Sequence, residues 1–259
     1  MTLPQPGATF HWTSEGWGDA LRCRTLDAAA QHMFTSRQLA LPDDAAWRAV
    51  LASVGATPAR LMRVKQVHGN TVRVLESGAV PEGASAERPD GDAIVSNQAG
   101  LALAVMVADC VPILVCDPKR GAAAAIHAGW RGTCARVAQS AITAMRTKLG
   151  CDPADLIAAI GPSAGPDEYE VGESLIDAFL SAGHPRQDVD RWFIRSGAKP
   201  HLDLWSANRD QLVASGVQVK QIHICGLSTV SHPDVFDSYR VDGERAGRMA
   251  GVIVVPPPA

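Results

Sequence analysis

Short apolar runs separated by turn residues recur along this chain, and they are densest between residues 101 and 132. Leu101–Val107 is apolar throughout and ends in Asp109-Cys110. Val111–Cys116 follows, then a turn at Asp117-Pro118-Lys119-Arg120-Gly121, then Ala122–Ile126 ending in His127. Runs of this length bounded by Pro, Gly and charge predict buried strands, with 101–116 a buried hairpin. Alternation in Leu61–Val67 and Thr71–Leu75 predicts half-buried strands around a His68-Gly69-Asn70 turn. Further strands are predicted at 32–37, 156–160, 191–195, 219–225 and 249–255, and a loop or short strand at 236–240, while 92–95 leads into the central region.

Spacing of three and four predicts helices at 42–54, 133–149, 173–182 and 202–215. Asp43 or Asp44 opens the first, Gly150 stops the second, and Asp203 and Gly216 bracket the last. Residues 1–20 are weakly patterned and read as an irregular arm. Residues 76–91, rich in Gly, Pro, Ala and Glu, read as the longest loop. Three consecutive strands interrupt any uniform βαβ series. The expected fold class is therefore α+β, with mixed β-sheets and outer helices in one domain over 1–259.

Composition narrows the function classes. Of the 259 residues, 46% are hydrophobic and 20% charged, and the net charge is −3, which gives no basis for a nucleic-acid-binding surface. The run 101–116 is short for a membrane span and contains Asp109 and Pro112. The N-terminus has neither the charged nor the apolar region of a signal peptide. Six cysteines lie scattered without a C-x-x-C pair, which predicts reduced thiols and a cytoplasmic protein.

Cys110 and His127 each fall where a buried strand ends, and His68 ends a third. A thiolate and two imidazoles suit a divalent metal such as zinc, and three ligands leave a fourth position open for chemistry. The separations of 42 and 17 residues match no compact zinc motif. Ordinary core packing of each residue is an open alternative. So is a metal-free hydrolase or amidase with Cys110 as nucleophile and His127 or His68 as base. Gly129-Trp130-Arg131-Gly132 opens the helix expected at 133–149 and is an anion-binding candidate. Arg37, Arg240 and Arg248 are others.

The segments KQVHGNTV, DAIVSN, VADCVPILVCDP, AAIHAGWRGT, IGPSAGPDEYEVG and FDSYRVDGERAGRMAGVI occur in this order. Together they resemble the laccase-domain family, also described as polyphenol-oxidase-like proteins, purine nucleoside phosphorylases and peptidoglycan editing factors. The likeness runs from about residue 32 to 255. It implies a layered α/β/β/α fold and a metal, usually zinc, on His68, Cys110 and His127. It implies phosphorolysis of adenosine, inosine and methylthioadenosine, and deamination of adenosine. The partners would be a purine nucleoside and phosphate, with Arg37, Arg131 and Arg240 as anion contacts. Some members are described as copper-dependent polyphenol oxidases, and others as removing a wrong serine from a peptidoglycan precursor. Eight histidines with no His-x-His pair argue against a multicopper site. Ser163, Asp167 and Glu168 stand where relatives often carry cysteines. Phe34–Ala40 lacks the usual glycines, and Asp237 and Val241 alter the segment before Gly243.

Overall fold

Successive side chains of the strand Ala102–Val107 enter different cores, as the two-residue period of a strand requires. Leu103, Val105 and Val107 pack with Leu114, Cys116, Ala123 and Ala125. Ala102 and Ala104 pack on the other side against Trp47, Val50 and Leu51. A strand buried on both faces must sit inside a layered structure.

The computed structural model describes residues 2–41, 44–76, 88–195 and 197–258. Its strands are β1 (Phe10–Glu15), β2 (Gly18–Cys23), β3 (His32–Thr35), β4 (Leu61–Arg63), β5 (Val72–Leu75), β6 (Ala93–Ser96) and β7 (Ala102–Val107). The second half adds β8 (Val111–Asp117), β9 (Ala122–Ala128), β10 (Ile157–Ile160), β11 (Phe193–Ile194), β12 (His201–Leu202), β13 (Ile222–Ile224) and β14 (Met249–Val254). The helices are α1 (Arg24–Asp27), α2 (Asp44–Ser53), α3 (Trp130–Cys134), α4 (Val137–Leu149), α5 (Ser174–Ser181), α6 (Arg186–Trp192), α7 (Leu204–Ala214) and α8 (Tyr239–Asp242).

Two mixed six-stranded sheets form, β1-β2-β3-β14-β7-β4 and β13-β10-β8-β9-β6-β5, with β11 and β12 pairing separately. The sheets face each other across the core that holds Leu103 and Leu114. Helix α2 covers the outside of the first sheet. Helices α4 to α7 cover the outside of the second through Val137, Ala141, Ile142, Met145, Phe179, Val189, Ala207 and Leu212. This is the expected α+β arrangement in α/β/β/α layers. The helix ends behave as the sequence predicts. Gly150 closes α4 in the left-handed region at φ 67°, and the Asp203 carboxylate accepts from the Ser206 amide at 2.9 Å.

Several expectations are corrected. The run 101–116 is not a hairpin, because β7 lies in the first sheet and β8 in the second. The chain crosses between sheets at Ala108-Asp109-Cys110, where Asp109 takes φ 80°. The true hairpin is β8–β9. Most of the expected N-terminal arm is ordered as the hairpin β1–β2, with Phe10 and Leu21 in the inter-sheet core. The helix expected over 133–149 is two helices, broken at Arg136 with φ 62°. The strand expected at 191–195 is shorter, Phe193–Ile194 pairing with β12, because Arg191 and Trp192 end α6, whose Val189 and Trp192 are buried. Residues 239–242 form the short helix α8, capped by Ser238, whose hydroxyl accepts from the Val241 amide. Asp43 and most of the loop expected at 76–91 fall outside the described residues.

Candidate metal centre

Strand register decides where the centre forms. On β9, His127 shares the inter-sheet face with Ala123 and Ala125. On β8, Cys110 follows the same parity as Leu114 and Cys116 and lies just outside the paired end, where Val111 faces Ala128. Both side chains therefore point between the sheets, at one end. The third residue arrives from the other sheet. Strands β4 and β7 are parallel, so the chain leaves both at the same end. The turn after β4 carries His68, at φ 60°. The donor atoms of His68, Cys110 and His127 all lie within 4.8 Å of one another. Among the described residues this is the one such group of three or more His, Cys, Asp or Glu side chains.

Asp92 holds two of the three in place. Ala93 pairs with Ile126, which sets Asp92 beside His127. The carboxylate is fully buried. One oxygen receives His127 Nδ1 at 2.8 Å and the His68 amide at 2.9 Å. The other receives the amides of Gly69 at 2.7 Å and Val67 at 3.3 Å. Burial alone would raise its pKa, but the His127 bond and these amides leave it below the ordinary carboxylate value. The His127 ring is thereby fixed with Nδ1–H on Asp92 and Nε2 free for the centre, the orientation that carboxylate–histidine–metal sites use. Sequence reasoning assigned Asp92 no role. Its signal was a lone acid at the head of a wholly apolar strand.

The donors are electrostatically primed. Burial works against a Cys110 thiolate, but hydrogen bonds and charge from His127 and His68 bring its pKa down to about 6. Burial likewise disfavours a charged His127, yet Asp92 on one side and Cys110 on the other raise it to about 9. Both directions favour a Cys110 thiolate beside a protonated His127, and a cation at the centre would take the place of the Nε2 proton. Gly129 leaves the space: a Cβ there would meet Cys110 Sγ at 2.8 Å and His68 Cδ2 at 3.4 Å. Two imidazoles and a thiolate, converging in a space that even one methyl group would crowd, fit a zinc-sized cation.

His68, Cys110 and His127 line a cavity of about 680 Å³. Arg131 and Arg240 line it too, stacked over Trp130 and Tyr169 with the guanidinium carbons 4.3 and 4.4 Å from the ring centres. Asp109 ties the Cys110 turn to the Arg240 loop. Its carboxylate accepts from the Thr229 hydroxyl at 2.6 Å and from the Arg240 amide at 2.6 Å. Arg37 stands apart from the cavity lining. It faces Asp237 at 3.9 Å and Asp242 at 3.7 Å and donates to the Pro233 carbonyl, so it braces the 233–242 loop. Arg248 does line the cavity, as do Lys65 and Arg88, which the sequence did not single out.

Residues 44–256 match the family described as multi-copper polyphenol oxidoreductase laccase, and the chain belongs to it. It is 41% identical over 166 residues to a purine nucleoside phosphorylase of Bacteroides thetaiotaomicron, covering 63% of this chain and 60% of that one. It is 36% identical over 208 residues to a purine nucleoside phosphorylase of Deinococcus radiodurans, covering 79% of this chain and 74% of that one. The crystal structure of YlmD from Geobacillus stearothermophilus superposes with a TM-score of 0.84 at 28% identity, covering 95% of this chain and 98% of that one. No helix among the described residues is long and apolar enough to cross a membrane.

Proposed function

We propose that this protein is a zinc-dependent purine nucleoside phosphorylase that also deaminates adenosine. The observation that carries the reading is the convergence of His68, Cys110 and His127 on a cavity walled by Arg131 and Arg240. The relatives named purine nucleoside phosphorylase support it. Zinc on the three donors would supply a Lewis acid that polarises a substrate group and acidifies water.

The remaining work falls to the chain. Arg131 and Arg240, lying over Trp130 and Tyr169, present guanidinium donors to orthophosphate and bring it to the ribose. In phosphorolysis a phosphate oxygen bonds to C1′ while the C1′–N9 bond breaks. Its electron pair leaves with the purine, giving ribose 1-phosphate. In deamination water adds at C6 of adenosine and ammonia leaves, giving inosine. Asp92 keeps the Nδ1 proton of His127 away from the centre throughout. Arg37 contributes through the loop that carries Arg240.

The family description includes copper, but a multicopper centre needs more imidazoles than this group offers. Six of the eight histidines lie outside it. One observation favours a second reading: Cys110 lies within 4.8 Å of His127, whose hydrogen bond and charge pull the thiol pKa down, which is also what a cysteine nucleophile needs, as in an amidase acting on a peptidoglycan precursor.

The test is a product assay on adenosine and inosine, with and without phosphate. Adenosine should give adenine and ribose 1-phosphate with phosphate, and inosine without it, and a chelator should stop both. Arg131→Ala or Arg240→Ala should raise the KM for phosphate. Neither product from metal-loaded protein, or turnover that persists in chelator with an acyl-cysteine trapped on Cys110, would overturn the reading.

A further inference from the structure

Arg240 stands just past the point where the chain leaves the core. Residues 235–238 are buried, with Phe236 stacked on Trp12. The next four form α8, which has no buried residue and leaves Tyr239 and Val241 exposed. A one-turn helix without a buried face has no packing to fix it, and its first amides lack partners within the helix. Two side chains supply them. The Ser238 hydroxyl accepts from the Val241 amide at 3.3 Å. The Asp109 carboxylate accepts from the Arg240 amide at 2.6 Å, a charge-assisted bond from 131 residues away.

Asp109 also holds the loops beside α8. Its other carboxylate oxygen accepts from the Thr229 hydroxyl at 2.6 Å, and its backbone carbonyl accepts from the Ala164 amide at 2.9 Å. The Thr229 amide donates to the Ser163 carbonyl at 3.0 Å, which joins those two loops to each other. Tyr169 follows on the first of them, its amide donating to the Gly165 carbonyl at 3.0 Å, and the Arg240 guanidinium lies over its ring. Arg240 is therefore set at its backbone by Asp109, and at its guanidinium by a loop that Asp109 also anchors. Asp109 is buried and immediately precedes Cys110 in the crossing between β7 and β8. One turn presents a sulfur to the metal centre and a carboxylate to α8.

We propose that Asp109 is a positioning residue for phosphate, acting through Arg240, whose place relative to the Cys110 centre it sets. The proposal rests on the phosphorolytic reading for what Arg240 binds. Asn at this position would keep an oxygen for the Arg240 amide, an NH₂ to donate to the Thr229 oxygen, and a side chain tolerant of the left-handed backbone at φ 80°. Ala would keep none of these.

Calorimetric titration of the zinc-loaded protein with orthophosphate alone tests it. Asp109→Ala should weaken phosphate roughly five- to tenfold, and Asp109→Asn should stay within about twofold of the unmodified chain. A double-mutant cycle with Arg240→Ala separates positioning from general loss of structure: with the Arg240 side chain gone, Asp109→Ala should cost less than about a further twofold. Thr229→Val removes one hydroxyl and leaves the Cys110 turn unaltered. It should weaken phosphate about two- to threefold with zinc affinity held within about threefold, and it carries the test if Asp109→Ala does not fold. Unchanged phosphate affinity in Asp109→Ala or, where that chain does not fold, in Thr229→Val would overturn the proposal. So would equal losses from Asp109→Ala with and without Arg240, or an Asn variant as weak as the Ala one. Any of these leaves the phosphorolytic reading standing, whereas an unmodified chain that binds no orthophosphate would overturn both.

Discussion

Asp92→Asn puts the centre's scaffold under the most specific strain, because it changes charge and donor pattern at nearly constant volume. In the native protein two carboxylate oxygens accept from four N–H groups, His127 Nδ1 and the amides of Val67, His68 and Gly69. An amide has one acceptor oxygen. Whichever way it turns, its NH₂ faces N–H groups in a fully buried position. Loss of two charge-assisted bonds costs roughly 3–6 kcal/mol before relaxation. If the NH₂ faces His127, the ring must protonate Nε2 instead, the nitrogen a metal requires. Loss of such a supporting partner typically lowers metal affinity about 10–100-fold, or roughly 1.4–2.7 kcal/mol. The assay is competition for zinc against a chromophoric chelator, with near-ultraviolet circular dichroism confirming a native fold. A folded Asp92→Asn protein that holds zinc within about threefold of the unmodified chain would refute the argument that Asp92 sets the donor geometry.

Three further outcomes follow from named contacts. Cys110→Ser replaces a soft thiolate with a far less acidic hydroxyl, so zinc affinity should fall and excess zinc should restore part of the activity; activity that excess zinc cannot restore would favour the nucleophile reading. Gly129→Ala places a methyl 2.8 Å from Cys110 Sγ and should cost at least about tenfold in zinc affinity, read by the same competition, and unchanged affinity would contradict the geometry. His32 Nε2 accepts from the Cys23 amide at 2.8 Å while Nδ1–H faces Ala30, and burial pulls its pKa down to about 4. Its contribution is whole above the unfolded value near 6.5 and lost as pH falls towards 4, in total up to roughly 3 kcal/mol. Urea unfolding between pH 7 and 5 should show the fall, and the His32 ring should stay neutral by NMR down to about pH 5; a ring that protonates near pH 6.5 would contradict it.

The chain's internal layers were legible because they repeat a simple signal. β7, β8 and β9 are apolar at every position but the last of β8 and His127, and both features were visible as runs and run-ends. The convergence of His68 with Cys110 and His127 was visible as three strand-ends, but the geometry that produces it was not. It depends on the crossing between sheets at Asp109, and a non-glycine residue at φ 80° leaves no mark in the residue pattern. The β1–β2 hairpin was missed because Thr13, Ser14, Asp19 and Arg22 dilute its alternation. It is stabilised instead by partners distant in sequence, such as Phe10 on Phe34 and Trp12 on Phe236. The break at Arg136 carries neither Gly nor Pro. It is held by Asn70, whose amide donates to the Ala135 carbonyl, and by Arg136 itself, which donates to Ala182. Asp92 escaped for a similar reason: its four partners come from two segments that only the folded sheets bring together.

The central claim is that His68, Cys110 and His127 bind one metal ion that catalysis needs. Elemental analysis of the purified chain, paired with phosphorolysis of adenosine before chelation, after chelation and after return of zinc, tests it most directly. The account predicts about one zinc per chain, loss of adenine formation with the zinc, and recovery in proportion to zinc restored. Full phosphorolysis by a chain stripped of metal would contradict it.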